Sequence, residues 1–381
     1  MANTLTNLIP TLYKALDIVS REIVGFIPAI SINAAPTDAA KGQTIRIPVT
    51  PTATTHDIVP GAQPADNGDQ VISEVDMLIS KSKYSPVRWN GEEQLGVSHS
   101  GTYNTILAQQ FAQSMRALVN EAEADIGSVY IAASRAYGTA GTAPFASNIS
   151  ETAQLRKILV DNGAPTTDLQ LVIDTSAGAN LRSLMNLTRV NEAGTDETLR
   201  RGALLSLNGF AIGESAGVNQ HTAGSLTGTP LVNKTGGYLV GDVSIAYDGV
   251  TASALKAGDI VKFGSTDPNK YVVSADASAT PLKINAPGLI ADVDNDAGIS
   301  VGNAYAASLA FDRSAIQAIF RVPAVPDGGD SADDRMVITD PVSGISFDVS
   351  VYRQYKQVKY EVGLAWGWKC IKPAHVAILL G

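Results

Sequence analysis

The sequence predicts an α+β fold in which one very long helix accompanies several β-rich segments, one of them inserted into a larger domain. Three observations lead to this prediction. Apolar residues recur at helical spacing over residues 102–136, short strand patterns fill residues 224–304, and alternating strand patterns return from residue 336 to the end. A chain of 381 residues can bury a large core without disulfides or metals to hold it.

The composition points to repeated contacts between proteins. Only 17% of the residues are charged and 45% are hydrophobic, and the mean hydropathy is +0.07, whereas soluble proteins average roughly 25% charged residues. Such a chain is expected to bury surface in a membrane or against other copies. No apolar run reaches the roughly 18 residues of a spanning helix, which leaves protein contacts.

Charge and cysteine content exclude further classes. A net charge of −9 and a pI of about 5.0 argue against a nucleic-acid reader, because phosphate binding depends on concentrated Lys and Arg. The lone Cys370 excludes a disulfide framework and a cysteine zinc site. The N-terminus lacks the pattern of a signal peptide, so synthesis in the cytoplasm is expected.

The N-terminal stretch, residues 5–24, predicts an amphipathic helix with Asn7 as a cap and Pro10 in the first turn. Its apolar stripe consists of Leu5, Leu8, Leu12, Leu16, Val19 and Ile23. Two interpretations remain open: the helix packs on its own domain, or it is an arm laid on a neighbouring molecule.

Residues 43–89 predict a long hairpin. Ile45, Ile47 and Val49 alternate with polar residues, and apolar character returns at residues 71–79 after a polar tip at residues 51–70. A compact domain seldom keeps so long a connection without a use, so the hairpin is expected to reach another molecule.

Residues 102–136 give the strongest helical pattern in the chain. Ser98, Ser100 or Thr102 can cap its start, and Gly138 can close its end. The helix would be roughly 50 Å long and would cross an entire domain. Its apolar stripe consists of Leu107, Phe111, Met115, Leu118, Ala122, Ile126, Val129 and Ala133.

The following region is predicted as α/β, with helices at 151–161 and 176–185 and strands at 169–173 and 209–212. Residues 189–201 read as a polar loop.

Residues 224–304 predict an inserted barrel or sandwich of short strands, including turn and strand in the sequence LKAGDIVKF at 255–263. A helix is expected next at 314–320, capped by Asp312. After an acidic loop at 327–334, an antiparallel meander is predicted to the end of the chain.

One pentapeptide, GESAG at residues 213–217, matches the nucleophile elbow of serine hydrolases, with Ser215 as the nucleophile. The sequence after it is a poor helix, no oxyanion motif precedes it, and His221 is too close to fit the usual order of the triad. Ser215 is therefore interpreted as a turn residue, with a serine esterase kept as an alternative of a different class.

Other candidate sites are weaker. The run at 292–298 places Asp292, Asp294 and Asp296 as in a calcium loop, but glycine falls at the seventh position and Asn303 stands where the bidentate Glu should be. The four histidines, His56, His99, His221 and His375, are scattered singly.

The segment YRQYKQVKY at 352–360 mixes bases with aromatics and is interpreted as an edge or interface strand blunted by charge. We expect no catalytic residue, no cofactor and no metal site.

The order of these parts resembles the major capsid proteins of tailed bacteriophages, whose shell fold is named after the Hong Kong 97 phage. The most family-like stretches are LAFDRSAIQAIFRVP at 309–323 and residues 340–380, and LKAGDIVKF resembles the inserted β-barrel of the short-tailed-phage coat subfamily. The implied parts are an N-terminal arm (1–40), an extended hairpin or E-loop (41–90), a P domain with the spine helix (91–150), a first A-domain part (151–223), the inserted barrel (224–305), an A-domain return (306–335) and a P-domain meander (336–381).

The resemblance implies a coat protein of the virion, which assembles as hexamers and pentamers into an icosahedral shell around double-stranded DNA, with scaffolding and portal proteins as partners. Some members crosslink through a hairpin lysine, and Lys81 and Lys83 lie in that region, but no motif supports crosslinking here. An encapsulin-type nanocompartment is the nearest alternative, although encapsulins are usually shorter and lack such an insertion.

Overall fold

The computed structural model describes residues 8–50, 55–58, 60–61, 73–98, 103–184, 187, 204, 206–265 and 267–381. None of the helices in these ranges is long and apolar enough to cross a membrane. The α-helices of the described ranges are α1 Ile9–Glu22, α2 Phe26–Ala29, α3 Gly91–Ser98, α4 Tyr103–Gly127, α5 Ser150–Asp161 and α6 Thr175–Ser183.

The described ranges contain 21 β-strands. In chain order they are β1 Ser31–Ala39, β2 Thr44–Val49, β3 Ser73–Leu78, β4 Lys81–Asn90, β5 Arg135–Gly138, β6 Leu169–Ile173, β7 Phe210–Glu214, β8 Gln220–His221, β9 Ser225–Val232, β10 Ser244–Ile245, β11 Tyr247–Ala254, β12 Ile260–Phe263, β13 Lys270–Val272, β14 Leu282–Lys283, β15 Ile299–Val301, β16 Tyr305–Asp312, β17 Ile316–Pro323, β18 Asp334–Thr339, β19 Ser346–Gln354, β20 Gln357–Cys370 and β21 Val376–Leu380.

The long helix α4 is confirmed, and every residue of its predicted stripe is buried. The predicted end is wrong, because the α-helix stops at Gly127 and only a 3-10 turn at Ser128–Ala132 continues it. Beyond the turn the backbone of Ser134 donates a hydrogen bond to Val376 (2.9 Å), so a sheet partner replaces the helical one. With 25 residues, α4 spans about 38 Å.

The start of the helix also differs from the prediction. Ser98 is the last residue of the separate helix α3, whereas Ser100 and Thr102 lie outside the described residues. Gly138 ends strand β5 with a φ of +102°, where an added Cβ would lie 2.9 Å from the carbonyl oxygen of Leu380.

A six-stranded sheet packs on α4. Its order is β1-β17-β20-β19-β18, and β4 pairs with β20. On the inner face of β20, Tyr360, Val362, Leu364 and Trp366 belong to the same buried cluster as the stripe of α4. The Phe111 and Tyr360 rings meet edge to face at 5.4 Å. Helix and sheet therefore share one core.

A second, nine-stranded sheet forms the other half of the molecule. Its order is β15-β12-β13-β5-β21-β16-β6-β7, and β8 pairs with β16. The predicted helices and strands between residues 151 and 214 are confirmed as α5, β6, α6 and β7. A second core lies between this sheet and helices α5 and α6.

The helix predicted at 314–320 is wrong. Asp312 accepts from the backbone N–H of Ser314 (3.2 Å) but caps a single 3-10 turn, after which β17 runs from Ile316 to Pro323. Six of the eight residues of β17 are buried, on both faces of the strand, which lies between β1 and β20. A strand buried on both faces shows no alternation of apolar and polar residues, so its sequence pattern does not distinguish it from a helix.

The inserted segment has its own apolar core, around which its short strands lie. LKAGDIVKF forms a turn and then β12, as predicted. The insertion is joined to the larger domain through an antiparallel pairing of β13 with β5. That pairing makes the nine-stranded sheet continuous from the insertion to β7.

The C-terminal meander is confirmed for β18, β19 and β20, which pair antiparallel in that order. The last strand, β21, is not part of it. It lies in the other sheet, antiparallel to β16 and parallel to β5. The C-terminal stretch thus links the two sheets covalently and by hydrogen bonds.

Candidate assembly surfaces

The hairpin β2–β3 forms a two-stranded sheet of its own. One face carries Ile45, Ile47, Val49, Val75 and Met77, which alternate with polar residues along both strands. At the root, the buried Met77 packs on a small cluster with residues of β17 and β20. Farther out, Val49 and Val75 are half-buried and lie outside that cluster. An isolated two-stranded hairpin is only marginally stable in water, so we expect this apolar face to pack against another molecule.

The opposite face of the hairpin is charged. The Arg46 guanidinium lies 3.1 Å from Glu74 and 3.4 Å from Asp76, its cross-strand neighbour. These pairs are largely exposed and each contributes less than about 1 kcal/mol. They give the hairpin one charged and one apolar face.

The hairpin ends earlier than predicted. Its second strand stops at Leu78, and residues 81–90 form β4, which pairs along ten residues with β20. Most of the predicted tip at 51–70 lies outside the described residues. Close backbone contact fixes the root: a Cβ on Gly367 would lie 2.0 Å from the carbonyl oxygen of Leu78.

Lys81 and Lys83 lie on β4 and not in the hairpin, contrary to the expected location. Lys81 pairs with Asp125 at 3.0 Å, and both lysines pair with Glu121. Both acids belong to α4. The two lysines therefore hold the sheet to the long helix.

The N-terminal helix α1 packs on α4 of its own chain. It begins at Ile9 with Pro10 in its first turn. Of its predicted stripe, Leu12, Leu16 and Val19 are buried, and Leu8 and Ile23 are half-buried against the same core. Leu5 and Asn7 lie outside the described residues. The first of the two interpretations therefore holds for α1, while Tyr13 and Ile18 remain exposed on its outer side.

Ser215 of the GESAG motif is buried, with 4% of its surface exposed. Its hydroxyl donates to Glu123 on α4 (2.8 Å) and accepts from the backbone N–H of Gly217 (3.0 Å). Glu123 also accepts from the N–H groups of Phe26 (2.5 Å) and Ile27 (2.9 Å). Ser215 occupies a structural junction in which a substrate could not reach its oxygen.

Burial raises the pKa of Glu123 above its ordinary value, and the hydrogen bonds from Phe26, Ile27 and Ser215 oppose that rise. The backbone just before α2 passes very close to the Glu123 side chain. Gly25 has a φ of +106°, and a Cβ there would lie 2.3 Å from the Glu123 carboxylate.

The histidines are dispersed in the structure as in the sequence. His221 is buried and bonded to Asp259 (2.8 Å) and to the Tyr130 hydroxyl (3.1 Å), so it joins the insertion to the 3-10 turn that follows α4. His375 is buried in the link before β21, and His56 is exposed. His99 lies outside the described residues.

Asp292, Asp294 and Asp296 lie in a turn of the insertion and are exposed. Asp292 accepts from the backbone N–H of Val240 (3.0 Å), a role that fixes the neighbouring loop. No group of three or more metal-binding side chains capable of holding an ion occurs among the described residues.

The segment 352–360 is not an edge strand, which corrects the prediction. It contains the tight turn between β19 and β20, and β20 is paired on both sides, with β19 and with β4. The turn projects Tyr355, which is 88% exposed, beside an open groove of about 670 Å³ between the start of α3 and β20. The sequence alone predicted neither the exposed Tyr355 nor the groove beside it, because only the sheet topology shows which residues form the turn.

The described chain thus contains, in order, an N-terminal helix, a two-stranded hairpin, a long helix packed on a sheet, an α/β region with a β insertion, and a C-terminal β meander. This is the order of parts implied by the Hong Kong 97 phage-type capsid fold.

No protein-family model matches the chain, and no curated protein sequence matches it. Solved structures similar to it include one from Mycobacterium phage Che8, with 15% identity, 89% of this chain and 85% of that chain covered, and a TM-score of 0.45. A second is the capsid of the cyanophage P-SCSP1u, with 14% identity, coverages of 93% and 88%, and a TM-score of 0.49.

A third is a virus-like particle from Pyrococcus furiosus, with 9% identity, coverages of 97% and 98%, and a TM-score of 0.46. All three TM-scores are below 0.5, so the function of this chain is argued from its own elements and surfaces.

Proposed function

We propose that this chain is a major capsid protein that assembles, as hexamers and pentamers, into the icosahedral shell around the double-stranded DNA genome of a tailed bacteriophage. The observation that carries the proposal is the hairpin β2–β3, whose outer apolar residues Val49 and Val75 pack on no apolar cluster of the described residues. A neighbouring copy would cover them.

The mechanism is geometric. The long helix α4 and the two sheets form a rigid body with continuous cores, and the hairpin leaves that body at the backbone contact between Leu78 and Gly367. A rigid body presents the same surfaces in every copy. Individually weak contacts, repeated around closed symmetry, then give a stable shell.

The charge fits this role. A net charge of −9 on the whole chain disfavours tight binding of DNA, which fits a shell that encloses a genome and later releases it. Scaffolding and portal proteins are the expected assembly partners, and the protein would be made in the host cytoplasm before it enters the virion.

The test is assembly of the purified chain, with and without a co-expressed scaffolding protein, followed by sedimentation and electron microscopy. Closed shells of uniform diameter are expected. A chain that remains monomeric under both conditions would overturn the proposal.

The encapsulin-type alternative shares the shell and differs in its contents. Particles isolated from cells should contain nuclease-protected double-stranded DNA if the chain is a phage coat, and an enzyme cargo if it is a nanocompartment. The contents of such particles, determined by nucleic-acid extraction and mass spectrometry, separate the two.

The serine esterase alternative requires an exposed nucleophile. Ser215 is buried and donates to a carboxylate rather than to a histidine. A fluorophosphonate probe should therefore leave Ser215 unlabelled, and labelling at this residue would restore the alternative.

A further inference from the structure

Two lysines lie opposite each other in the sheet of the insertion. Val261 of β12 pairs with Tyr271 of β13 in an antiparallel register, so one position farther along Lys262 faces Lys270. Both lysine side chains are half-buried. Burial lowers the pKa of Lys270, and the charge of Lys262 lowers it further. Because like charges at opposite positions destabilise a sheet, a shared anion would stabilise this pair.

Both lysines line a cavity of about 210 Å³ at the seam between the insertion and the larger domain. The insertion contributes Ser300, which pairs with Lys262 in the sheet, and Asn303, which follows β15. The larger domain contributes Thr139, which follows β5. The other described lining residues are uncharged. The cavity thus brings two positive charges and three polar side chains together.

No described carboxylate is paired with either lysine. The ammonium of Lys270 donates to the carbonyl oxygen of Gly138, a neutral acceptor, and keeps two further N–H donors. Lys262 forms no ion pair with any described residue. Glu151 lines a neighbouring cavity of about 440 Å³ that shares Lys270, but it forms no ion pair with that lysine. The positive charge at the seam is therefore uncompensated by the described part of the chain.

We propose that this cavity binds a phosphate group, as the free ion or as a phosphomonoester, between Lys262 and Lys270. Lysine binds phosphate as a point charge, whereas a planar carboxylate is matched best by arginine, which is absent from the described lining. A phosphate group carries roughly two negative charges near neutral pH and has several strong acceptor oxygens. It would balance both lysines and accept hydrogen bonds from Ser300 and Thr139.

Such a phosphate would act as a bridge. It would join β12 and β13 of the insertion to the segment after β5, and so hold the insertion on the larger domain. The inference does not depend on shell assembly, because every group that it uses belongs to one subunit.

The first test measures binding of inorganic phosphate to the purified full chain by calorimetry, at constant ionic strength in chloride buffer. Lys262→Met keeps the length of the side chain without its charge and should weaken binding at least about tenfold. Lys283→Met removes an exposed lysine of β14 outside the cavity and should bind as the wild type does. Equal affinities of the three proteins, or a wild type that binds no phosphate, would overturn the inference.

The second test is thermal melting with and without phosphate. Lys262→Glu places a carboxylate opposite Lys270, so without phosphate it should melt at or above the wild-type temperature. Phosphate should raise the melting temperature of the wild type and leave that of Lys262→Glu unchanged. A lower melting temperature of the variant without phosphate would contradict the repulsion, and a wild-type response to phosphate would contradict the site.

Competition experiments distinguish the sources of the phosphate group. Displacement of inorganic phosphate by deoxyadenosine monophosphate would identify phosphomonoesters as ligands, and no displacement would assign the site to the free ion. A short DNA duplex carries a single charge on each phosphate and should not compete. Competition by the duplex at equal phosphate concentration would overturn the assignment to a doubly charged phosphate.

Discussion

The Glu123 carboxylate accepts a 2.8 Å hydrogen bond from the hydroxyl of Ser215, 92 residues farther along the chain. Glu123 lies on α4, and Ser215 directly follows β7. Since the same carboxylate also accepts from the backbone of Phe26 and Ile27 in α2, it joins the N-terminal segment, the long helix and the α/β region. The GESAG motif, which resembles the nucleophile elbow of a hydrolase, therefore stabilises the contact between these three parts of the fold.

Glu123→Ala is expected to destabilise the subunit by at least about 1–3 kcal/mol, because it leaves two buried backbone donors and one hydroxyl without an acceptor. Ser215→Ala removes a single hydrogen bond and should cost only about 1 kcal/mol. Urea unfolding of the two variants and the wild type measures both values. Equal stability of wild type and Glu123→Ala would contradict the assigned role.

The raised pKa of Glu123 predicts a pH dependence. Between its ordinary pKa of about 4.3 and its higher folded pKa, the folded chain binds more protons than the unfolded chain, so this group's contribution to the free energy of unfolding falls as pH rises. Glu123→Gln cannot titrate. The difference in unfolding free energy, wild type minus Glu123→Gln, should therefore decrease with rising pH, and a constant difference would disprove it.

Asp259 should behave in the opposite way. Burial alone would raise its pKa, but hydrogen bonds from His221, Gly224 and Lys256 outweigh burial and lower it. Its stabilising contribution is complete above its ordinary pKa of about 3.9 and is lost as pH falls through the lower folded value.

Asp259→Asn should accordingly cost about 1–3 kcal/mol near neutral pH, and its deficit should shrink below about pH 4. Thermal or urea unfolding of wild type and variant from pH 3 to 7 measures this deficit. A deficit that grows on acidification would contradict the assignment.

Gly367→Ala tests the root of the hairpin. The new methyl would meet the Leu78 carbonyl oxygen at 2.0 Å, so β20 and the hairpin must separate, at a cost of about 1–3 kcal/mol. Gly96→Ala, in α3 with no atom within 4 Å of the added Cβ, is the matched control and should stabilise slightly because alanine favours helices. Thermal melting of both variants gives the comparison.

Val49→Asp tests the apolar face of the hairpin. The subunit should keep its melting temperature, since Val49 lies outside every apolar cluster of the described residues, but shell assembly should fail because a charge would have to be buried. Glu74→Gln, on the charged face, should assemble normally. Shells from Val49→Asp would show that this face is not buried between copies.

The periodicity of the sequence determined which residues are buried. All eight residues of the stripe predicted for the long helix lie in the core, and the strands and helices between residues 151 and 214 occur where their patterns predict them. Local spacing suffices there, because each pattern reflects one face of one element against one core.

Only the tertiary structure decided which elements are partners. It ended α4 at Gly127, made β17 a buried strand, placed β21 in the second sheet and put Tyr355 on an exposed turn. In each case hydrogen bonds or packing between residues far apart in sequence determine the outcome, and no local pattern encodes them. The sequence determined the parts and their order, whereas long-range pairing decided where each part ends and which surfaces remain free.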